Sequence, residues 1–363
     1  MRAACAMRTR SQENGERTAG NLRGKFARKR FKWTPVKVLL LAAGAAALSA
    51  PVGASVAYAQ GTWTILDPVS CPSPIQCPTE GMTVGGVGQV IIGAYGAQPV
   101  IVDTNLTRLY NINKNSWSLG TPAPLPARSE AAYGNTVHGG FLYVIGGKIT
   151  FGPVLNNLER YDPVTNTWAT LAPMPTARAG AAGAVVDNAI YVIGGRTIST
   201  GGPCIGGAIS VVERYDIDTN TWSTVAPLPS PRMDLAAVAH GGKIFVFGGC
   251  SIASLETSEV DMYDPQTDSW TLRAPMPTAR ASLVAGISGD NVYAIGGEVG
   301  GVAQSVNQVY KIANDSWSAA ASMPTPRAEA GVHSHGGRIY VVGGESIPGT
   351  QTAANEMFKP NPQ

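Results

Sequence analysis

Short apolar runs that each end in Gly-Gly recur along this chain and are its clearest hydrophobic signal. They read IYVIGG, IFVFGG, VYAIGG and IYVVGG, and they end at residues 195, 249, 297 and 344. A continuous apolar run of this length, bounded by turn residues, predicts a strand that is buried on both faces. A two-residue turn precedes each run. Before that turn lies a stretch of small residues, such as AGAAGAVV at 179–186, which predicts an inner strand packed close to a central axis.

Each apolar run is followed by an alternating segment, a polar turn and an aromatic strand. LERYD at 158–162 alternates apolar and polar residues, and the segment DPVTNT leads from it to Trp168. Asp, Pro and Asn favour a tight turn there, and Tyr161 and Trp168 can pack across the resulting hairpin. A Pro-rich segment at 172–175 then ends the outer strand. One unit therefore predicts four antiparallel strands.

The unit is clearest at 161–195, and its landmarks recur at nearly constant spacing. Tyr precedes Trp by seven residues, an Arg follows the Trp by ten, and Gly-Gly follows the Arg by sixteen; in the unit that begins at Tyr110 the last two distances are eleven and eighteen. Successive tryptophans from Trp63 to Trp317 lie 54, 51, 54, 48 and 47 residues apart. A period near 50 with Gly-Gly, Tyr and Trp resembles the kelch repeat, the blade unit of a β-propeller.

The two incomplete ends of the repeat array predict how the ring closes. Six Gly-Gly strands are counted if VIIGA at 90–94 is the degenerate first one, and six Trp strands are counted if Trp63 is included. Phe358-Lys359-Pro360 matches Tyr161-Asp162-Pro163, but no Trp follows it. We therefore expect an all-β, six-bladed kelch-type propeller over residues 60–363. Its last blade is completed by the amino-terminal Trp63 strand.

Composition agrees with this expectation. The 363 residues include 43 Gly and 26 Pro, and only 14% are charged, which suits many short strands and excludes a helical bundle.

Charge divides the chain into two parts. Residues 1–60 carry a net charge of +9, whereas residues 61–363 carry −6. A basic stretch at 25–32 precedes an apolar run at 36–50, and Ala57-Tyr58-Ala59 has the small-x-small form of a signal-peptidase site. The segment 1–59 therefore predicts a secretory signal peptide that is cleaved after Ala59, and a secreted or cell-envelope protein. The alternative is an uncleaved membrane anchor over 36–59. Because the basic stretch lies before the apolar run, no nucleic-acid binding is expected.

The recurring arginines are the candidate binding residues. In a propeller, the start of the inner strand and the loop after Gly-Gly lie on one face, so the arginines are expected at one mouth of the central channel. They are Arg128, Arg178, Arg232, Arg280 and Arg327. Glu130, Asp234 and Glu329 stand two residues after three of them. This pattern predicts a site for an anionic ligand, either an acidic sugar or acidic side chains of a partner. The alternative is that the arginines bond carbonyls of the adjacent blade and pair with the carboxylates.

The cysteines predict disulfides in an exported protein. Cys204 lies in the longest loop, and Cys250 directly follows the Gly-Gly of the next blade, so we expect Cys204–Cys250 and Cys71–Cys77, with Cys5 left in the signal peptide. A metal site at Cys71 and Cys77 is the alternative, but no matching His or Cys pair accompanies it.

Resemblance to kelch propellers implies two functions. The first is an exported binding module for an extracellular protein or an acidic glycan, with no catalytic residue, metal or cofactor. The alternative resembles the sialic acid mutarotases, in which a carboxylate such as Glu130, Asp234 or Glu329 would act with the channel-mouth arginines. Kelch-type copper oxidases need convergent His and Tyr ligands, which this sequence does not offer. No nucleophile elbow, phosphate loop or zinc motif is present either.

Overall fold

The computed structural model describes residues 60–70, 81–97, 103–134, 136–199, 204, 206–251, 253, 255–347 and 350–361. The expected signal peptide at 1–59 and the expected Cys71–Cys77 disulfide lie outside these residues. Within the described residues, no helix is long and apolar enough to cross a membrane.

Six four-stranded antiparallel sheets form the blades. We number the blades from 1 to 6 along the chain and name the strands of each blade inner, second, third and outer. Blade 1 contains Thr83–Val87, Val90–Ala94, Thr107–Asn111 and Ser116–Leu119. Blade 2 contains Val137–His138, Phe141–Ile145, Leu158–Asp162 and Thr167–Thr170. Blade 3 contains Ala182–Val186, Ala189–Ile193, Val212–Asp216 and Thr221–Val225.

Blades 4 to 6 follow the same order. Blade 4 contains Ala236–His240, Lys243–Phe247, Val260–Asp264 and Ser269–Leu272. Blade 5 contains Val284–Ser288, Asn291–Ile295, Asn307–Lys311 and Ser316–Ala319, with a 3-10 turn at Ile312–Asn314. Blade 6 contains Gly331–His335, Arg338–Val342, Asn355–Lys359 and Thr62–Ile65. Three short pairs lie outside the blades: Arg232–Met233 with Cys250–Ser251, Glu298–Val299 with Val302–Ala303, and Glu345–Ile347 with Thr350–Gln351.

The predicted six-bladed architecture and its closure are confirmed. Thr62–Ile65 is the outer strand of blade 6, and Trp63 pairs with Phe358 in antiparallel register. The two ends of the described array therefore share one sheet, and neither leaves an open edge at this junction.

One residue per blade also forms a closed ring of backbone hydrogen bonds around the axis. Each ring residue precedes an inner strand, by two residues except in blade 2, and its N–H donates to the carbonyl of the ring residue in the preceding blade at 2.7–3.2 Å. The six are Gly81, Glu130, Gly180, Asp234, Ser282 and Glu329. All six have positive φ, between 51° and 60°. We call this set the axial ring.

The faces of the propeller differ in what they carry. The axial ring and the loops that follow Gly-Gly lie on one face, which we call the mouth face. The turns between inner and second strands and between third and outer strands lie on the opposite face, the far face.

Contacts on the far face repeat from blade to blade. The Trp of each outer strand donates its indole N–H to a carbonyl just after the outer strand of the preceding blade; Trp222 donates to Ala172 O at 2.8 Å. Asn220 has φ of 54°, and its Oδ1 accepts from Tyr215 Oη at 2.7 Å and from Ala172 N at 2.9 Å. The other indole donors are Trp63, Trp117, Trp168, Trp270 and Trp317. These contacts fix each blade to its neighbour.

The apolar core is divided among the spaces between neighbouring blades. Ile193 of blade 3 and Val246 of blade 4 belong to one such cluster, and Phe245 of blade 4 and Val292 of blade 5 belong to the next. This arrangement explains why the second strands are continuous apolar runs, since both of their faces are covered.

Blade 2 departs from the pattern at its inner strand. The two extra residues between Arg128 and Gly146 leave only Val137–His138 as regular strand. Before it, Tyr133 pairs in parallel with blade 3, donating from its N–H to Ala181 O at 2.8 Å and accepting from Gly183 N at 2.6 Å. Tyr133 thus lies in the wall of the central channel, where the void is only about 10 Å³. Toward the far face the channel widens to a cavity of about 300 Å³.

Candidate functional site

The five recurring arginines are buried inside their blades. Each has a relative exposure of 0–1%, and each bonds a polar side chain at the second position of its own blade's third strand. The pairs are Arg128 with Glu159, Arg178 with Glu213, Arg232 with Asp261, Arg280 with Gln308, and Arg327 with Glu356. Arg178 Nη2 lies 3.0 Å from Glu213 Oε2, and Arg327 Nη2 lies 2.6 Å from Glu356 Oε2.

Backbone carbonyls of the same blade satisfy further guanidinium donors. Arg178 donates to Val192 O at 3.0 Å, and Arg280 donates to Gly296 O at 2.5 Å and Ala294 O at 3.2 Å. Burial lowers the pKa of Arg178 and of Arg280 to about 10, and the charge of Glu213 opposes this shift at Arg178. These arginines hold each inner strand to its third strand.

This placement corrects the expected arginine ring. The guanidinium groups are buried and do not line the channel mouth, so they are not available to a ligand. This holds for all five residues: Arg128, Arg178, Arg232, Arg280 and Arg327. The structure agrees with the alternative expectation that these arginines donate to backbone carbonyls. However, the carbonyls belong to the same blade rather than to the adjacent one.

Blade 1 has an arginine at the third-strand position of this pair, a departure that the sequence analysis missed. Arg108 is the second residue of Thr107–Asn111 and stands where the other blades have Glu, Asp or Gln. It is fully buried, and burial lowers its pKa to about 10. The signal was present in the sequence, because TRLYN at 107–111 aligns with LERYD at 158–162.

The axial ring, unlike the arginines, brings its carboxylates to the mouth. Glu130 forms ion pairs with Lys148 and with Arg196, and Arg196 Nη1 also lies 3.7 Å from Asp234 Oδ2. Arg196 therefore joins the ring residues of blades 2 and 4 across Gly180. A Cβ at Gly180 would lie 2.3 Å from Asp234 Oδ1, so this position needs glycine both for space and for its φ of 60°.

Lys148 and Arg196 are cations that the sequence reading did not single out. Each directly follows the Gly-Gly of its blade, and each pairs with the residue after the repeat arginine, Ser129 and Ala179 respectively. In blades 4, 5 and 6 the same position holds Cys250, Glu298 and Glu345. Chemistry at the mouth therefore changes from one blade to the next at a fixed repeat position.

Tyr133 adds a hydroxyl at the centre of the mouth. Its ring is 7% exposed, and within the described part of the chain its hydroxyl has no hydrogen-bond partner. Burial raises the pKa of Tyr133 well above the usual value, and the charges of Glu329, Glu130 and Asp234 raise it further. The hydroxyl therefore lies close enough to the axial ring to experience these carboxylates.

Two carboxyl groups at the mouth have raised pKa values. Burial raises the pKa of Asp234 to about 6, against the lowering effect of Arg196. Burial also raises the pKa of Glu298 to about 7, and the charges of Asp234 and Glu256 add to the effect. Ser282 Oγ donates to Glu298 Oε1 at 3.2 Å, which favours the ionised form.

Exposed apolar side chains also lie on the mouth face, on four of the six blades. They lie on the loops that follow Gly-Gly in blades 2 to 5: Phe151, Ile198, Leu255, Val299 and Val302. Phe151 is 86% exposed, Leu255 63% and Val302 61%. We call these five residues the apolar rim.

The loops that carry the apolar rim are tied to one another. Thr150 Oγ1 donates to Asp103 Oδ1 at 2.9 Å, which joins blades 1 and 2. Cys204 and Cys250 form the expected disulfide between blades 3 and 4, with their Cα atoms 5.1 Å apart. Gly300 N donates to Glu256 Oε1 at 2.7 Å between blades 4 and 5.

Across the described residues, no group of three or more His, Cys, Asp or Glu side chains is arranged to hold a metal ion.

Comparison with known proteins identifies the repeat. A family model described as the KLHDC2/KLHL20/DRC7 Kelch-repeats domain matches residues 136–344, which is more than half of the chain. Kelch-like protein 25 of Homo sapiens is 33% identical over 149 residues, which are 40% of this chain and 25% of that protein. Kelch-like protein 40 of Mus musculus is 32% identical over 179 residues, or 48% of this chain and 27% of that protein. The match thus spans about a quarter of the length of these relatives.

A solved structure shares the fold. The structure of YjhT aligns with a TM-score of 0.68 and 19% sequence identity, covering 80% of this chain and 96% of that one. At this identity the likeness shows the architecture alone. The family model, the Kelch-like relatives and the six-bladed ring agree, and the chain belongs to the kelch repeat family.

Proposed function

We propose that this kelch propeller is an interaction module that docks a partner protein on its mouth face. The observation that carries the proposal is the apolar rim. Large apolar side chains such as Phe151 and Leu255 are exposed on four consecutive loops, and these loops are held in place by contacts between blades.

Exposure and rigidity together favour binding. An apolar side chain held in water on a surface loop gains free energy when a partner covers it. A loop that is already tied to its neighbours also loses less conformational entropy on binding than a free loop would. The axial ring beneath the rim adds charged groups that can select among partners.

The experiment compares capture by the full chain and by two matched variants of it. Phe151→Ser with Leu255→Ser removes two rim side chains, and Val164→Ser removes an equally exposed apolar residue from a far-face turn. We expect a defined partner, isolated by crosslinking to the wild-type protein, to lose binding to the rim variant and to keep binding to V164S. Equal binding to all three proteins would exclude the mouth face as the docking surface.

We also propose that the protein is exported, with segment 1–59 removed after Ala59. The basic stretch and apolar run of that segment support this proposal, as does the Cys204–Cys250 disulfide, since such bridges persist in oxidising compartments. Mass mapping of the mature amino terminus should begin at Gln60. A membrane-retained chain beginning at Met1 would contradict it.

A second candidate is an enzyme acting on an acidic sugar at the same mouth. The observation in its favour is the buried Tyr133 hydroxyl, whose pKa is raised by burial and by the charges of Glu329, Glu130 and Asp234. A carboxylate and a phenol could exchange a proton with a sugar, and Arg196, which pairs with Glu130 and Asp234, places a cation at the mouth toward which the acid group of the sugar would be directed. NMR exchange between the anomers of sialic acid measures this activity directly. Acceleration lost in Glu130→Gln would support it, whereas no acceleration by the wild-type protein would remove it.

A further inference from the structure

We propose that the partner segment presents a lysine or arginine flanked by apolar residues, and that this cation enters an acidic sector between the mouth-face loops of blades 4 and 5. This inference rests on the proposed docking function. It adds the chemistry of the partner and the position of its charged residue.

The mouth face is strongly acidic once the arginines within the blades are set aside. Eight carboxylates belong to its described loops and axial ring: Asp103, Glu130, Asp234, Glu256, Glu259, Glu298, Glu329 and Glu345. Glu259 lies 3.6 Å from the buried Arg232, so seven carboxylates remain once these arginines and their partners are set aside. Lys148 and Arg196 are the cations of the same loops, and both are engaged by Glu130. The net negative charge of the mouth-face loops and the axial ring favours a basic partner and opposes an acidic one.

The excess of negative charge is concentrated between blades 4 and 5. Glu298 and Glu256 come from the loops of blades 5 and 4, and Asp234 comes from the axial ring beneath them. The charged groups that act most strongly on Glu298 are the carboxylates of Asp234 and Glu256, and its hydrogen-bond donor is the neutral Ser282. Arg196 reaches Asp234 only at 3.7 Å, and its shorter contact is to Glu130. A cation that enters here would meet the partly exposed Glu256 first, with the carboxylates of Glu298 and Asp234 buried beneath it at 7% and 2% relative exposure.

Apolar rim residues flank this sector on both sides. Leu255 directly precedes Glu256, and Val299 directly follows Glu298, with Val302 in the paired short strand. The hydrogen bond from Gly300 N to Glu256 Oε1 keeps the two loops together, so the acidic and apolar groups hold a fixed spacing. A peptide that places a basic side chain between apolar neighbours matches this order.

A second feature at the centre of the mouth also suits a donor-rich ligand. The Tyr133 side chain is more than nine-tenths buried, its hydroxyl lacks a hydrogen-bond partner among the described residues, and it lies near the axial-ring carboxylates. An ammonium or guanidinium group offers several N–H donors, and a phenol oxygen can accept one of them.

The test uses phage-displayed random 12-residue peptides selected against the full chain. We expect the enriched peptides to carry Lys or Arg with apolar residues nearby. A synthetic peptide of the enriched sequence should bind the Glu256→Gln, Glu298→Gln double variant at least about tenfold more weakly than the wild-type protein. Asp218→Asn, which removes an exposed carboxylate from a far-face turn, should leave the dissociation constant unchanged.

The outcomes separate this inference from the docking proposal. Enriched peptides that are acidic or uncharged, yet lose binding to Leu255→Ser with Val302→Ser, would overturn the basic-partner inference and leave the docking function standing. Enrichment of no peptide, or of peptides that bind both rim variants as tightly as the wild-type protein, would overturn the inference as well. The crosslinked-partner comparison then decides separately whether docking on this face also fails. A charge exchange gives the sharpest support: Glu256→Lys should recover binding to a peptide in which the basic residue is replaced by Glu.

Discussion

The far face and the mouth face of this propeller are built from the same repeat, yet they differ in how uniform they are. On the far face, the Trp indole, the Tyr hydroxyl and the turn Asn or Asp make equivalent bonds in successive blades, as Trp222, Tyr215 and Asn220 do in blade 3. On the mouth face, the residue after Gly-Gly is Lys148 in blade 2, Arg196 in blade 3 and Glu298 in blade 5.

The difference between the faces separates the residues that hold the blades together from the residues that give the mouth face its specific chemistry. Contacts that recur around the ring, including the buried arginine pairs of blades 2 to 6, do the same structural task in five or six blades. Residues that differ between blades at one repeat position are free of that task, since the axial ring and the far-face bonds already fix the geometry. Substitutions in the first class should change stability, and substitutions in the second should change binding.

The largest effect is expected for Arg178→Ala. The substitution leaves Glu213 buried without its charged partner, and removal of one member of a buried ion pair typically costs about 4 kcal/mol of unfolding free energy. Urea denaturation followed by tryptophan fluorescence measures the loss. Arg214→Ala, which breaks a pair to Asp216 that is about one third exposed, should cost less than about 1 kcal/mol.

A double variant distinguishes lost pairing from lost packing. Arg178→Met with Glu213→Leu replaces both charges by apolar groups and should recover most of the stability, because neither charge is then buried alone. If Arg178→Ala instead kept wild-type stability and abolished ligand binding, the arginine would belong to the mouth after all, and the division between the two faces would fail.

The arginines also show what the sequence could and could not predict. Their spacing predicted the blade, but periodicity alone does not tell whether a recurring side chain points into the channel or into the blade. The answer lay in a second recurring position, two residues before the Tyr, which supplies the partner: Glu159 and Glu213 in blades 2 and 3, and Gln308 in blade 5. Fold and closure were predictable because apolar runs, turns and Trp positions recur in register.

The mouth was harder to predict because its chemistry depends on departures from the repeat. Tyr133 reaches the channel wall because blade 2 has two extra residues between Arg128 and Gly146, a difference visible in the spacing. The pairing of Arg196 with Glu130 and Asp234 joins residues 66 and 38 positions apart, and no local pattern indicates it. Loop conformation decides such contacts, and loops lack the periodicity of strands.

A smaller effect is expected for Asn220→Ala on the far face. The substitution removes the acceptor for Tyr215 Oη and for Ala172 N and places alanine at φ of 54°, so we expect a loss of about 2 kcal/mol. Asn220→Asp is the matched control, because Asp268 and Asp315 make the same two bonds in blades 4 and 5. Its unfolding free energy should stay within about 0.5 kcal/mol of the wild-type value. Equal losses of unfolding free energy for both variants would show that Asp cannot replace Asn220 in these far-face hydrogen bonds.

The smallest effect belongs to Glu298→Gln, which acts on the mouth face and depends on pH. The pKa of Glu298 is raised from its usual value of 4.5 to about 7 in the folded protein. Between these two pH values the folded state therefore keeps a proton on Glu298 that the unfolded chain has released. The stability that this group contributes is therefore complete below about pH 4.5 and is lost as pH rises through 7. Glu298 is only 7% exposed, but Ser282 Oγ donates to its carboxylate and so offsets part of the burial cost. We expect the unfolding free energy of Glu298→Gln to exceed that of the wild-type protein by about 1 kcal/mol at pH 8 and to match it at pH 4.5. Thermal denaturation of both proteins at the two pH values measures the difference. A constant difference at both pH values would mean that Glu298 is ionised throughout this range, and the acidic sector would then already contain a cation that compensates it.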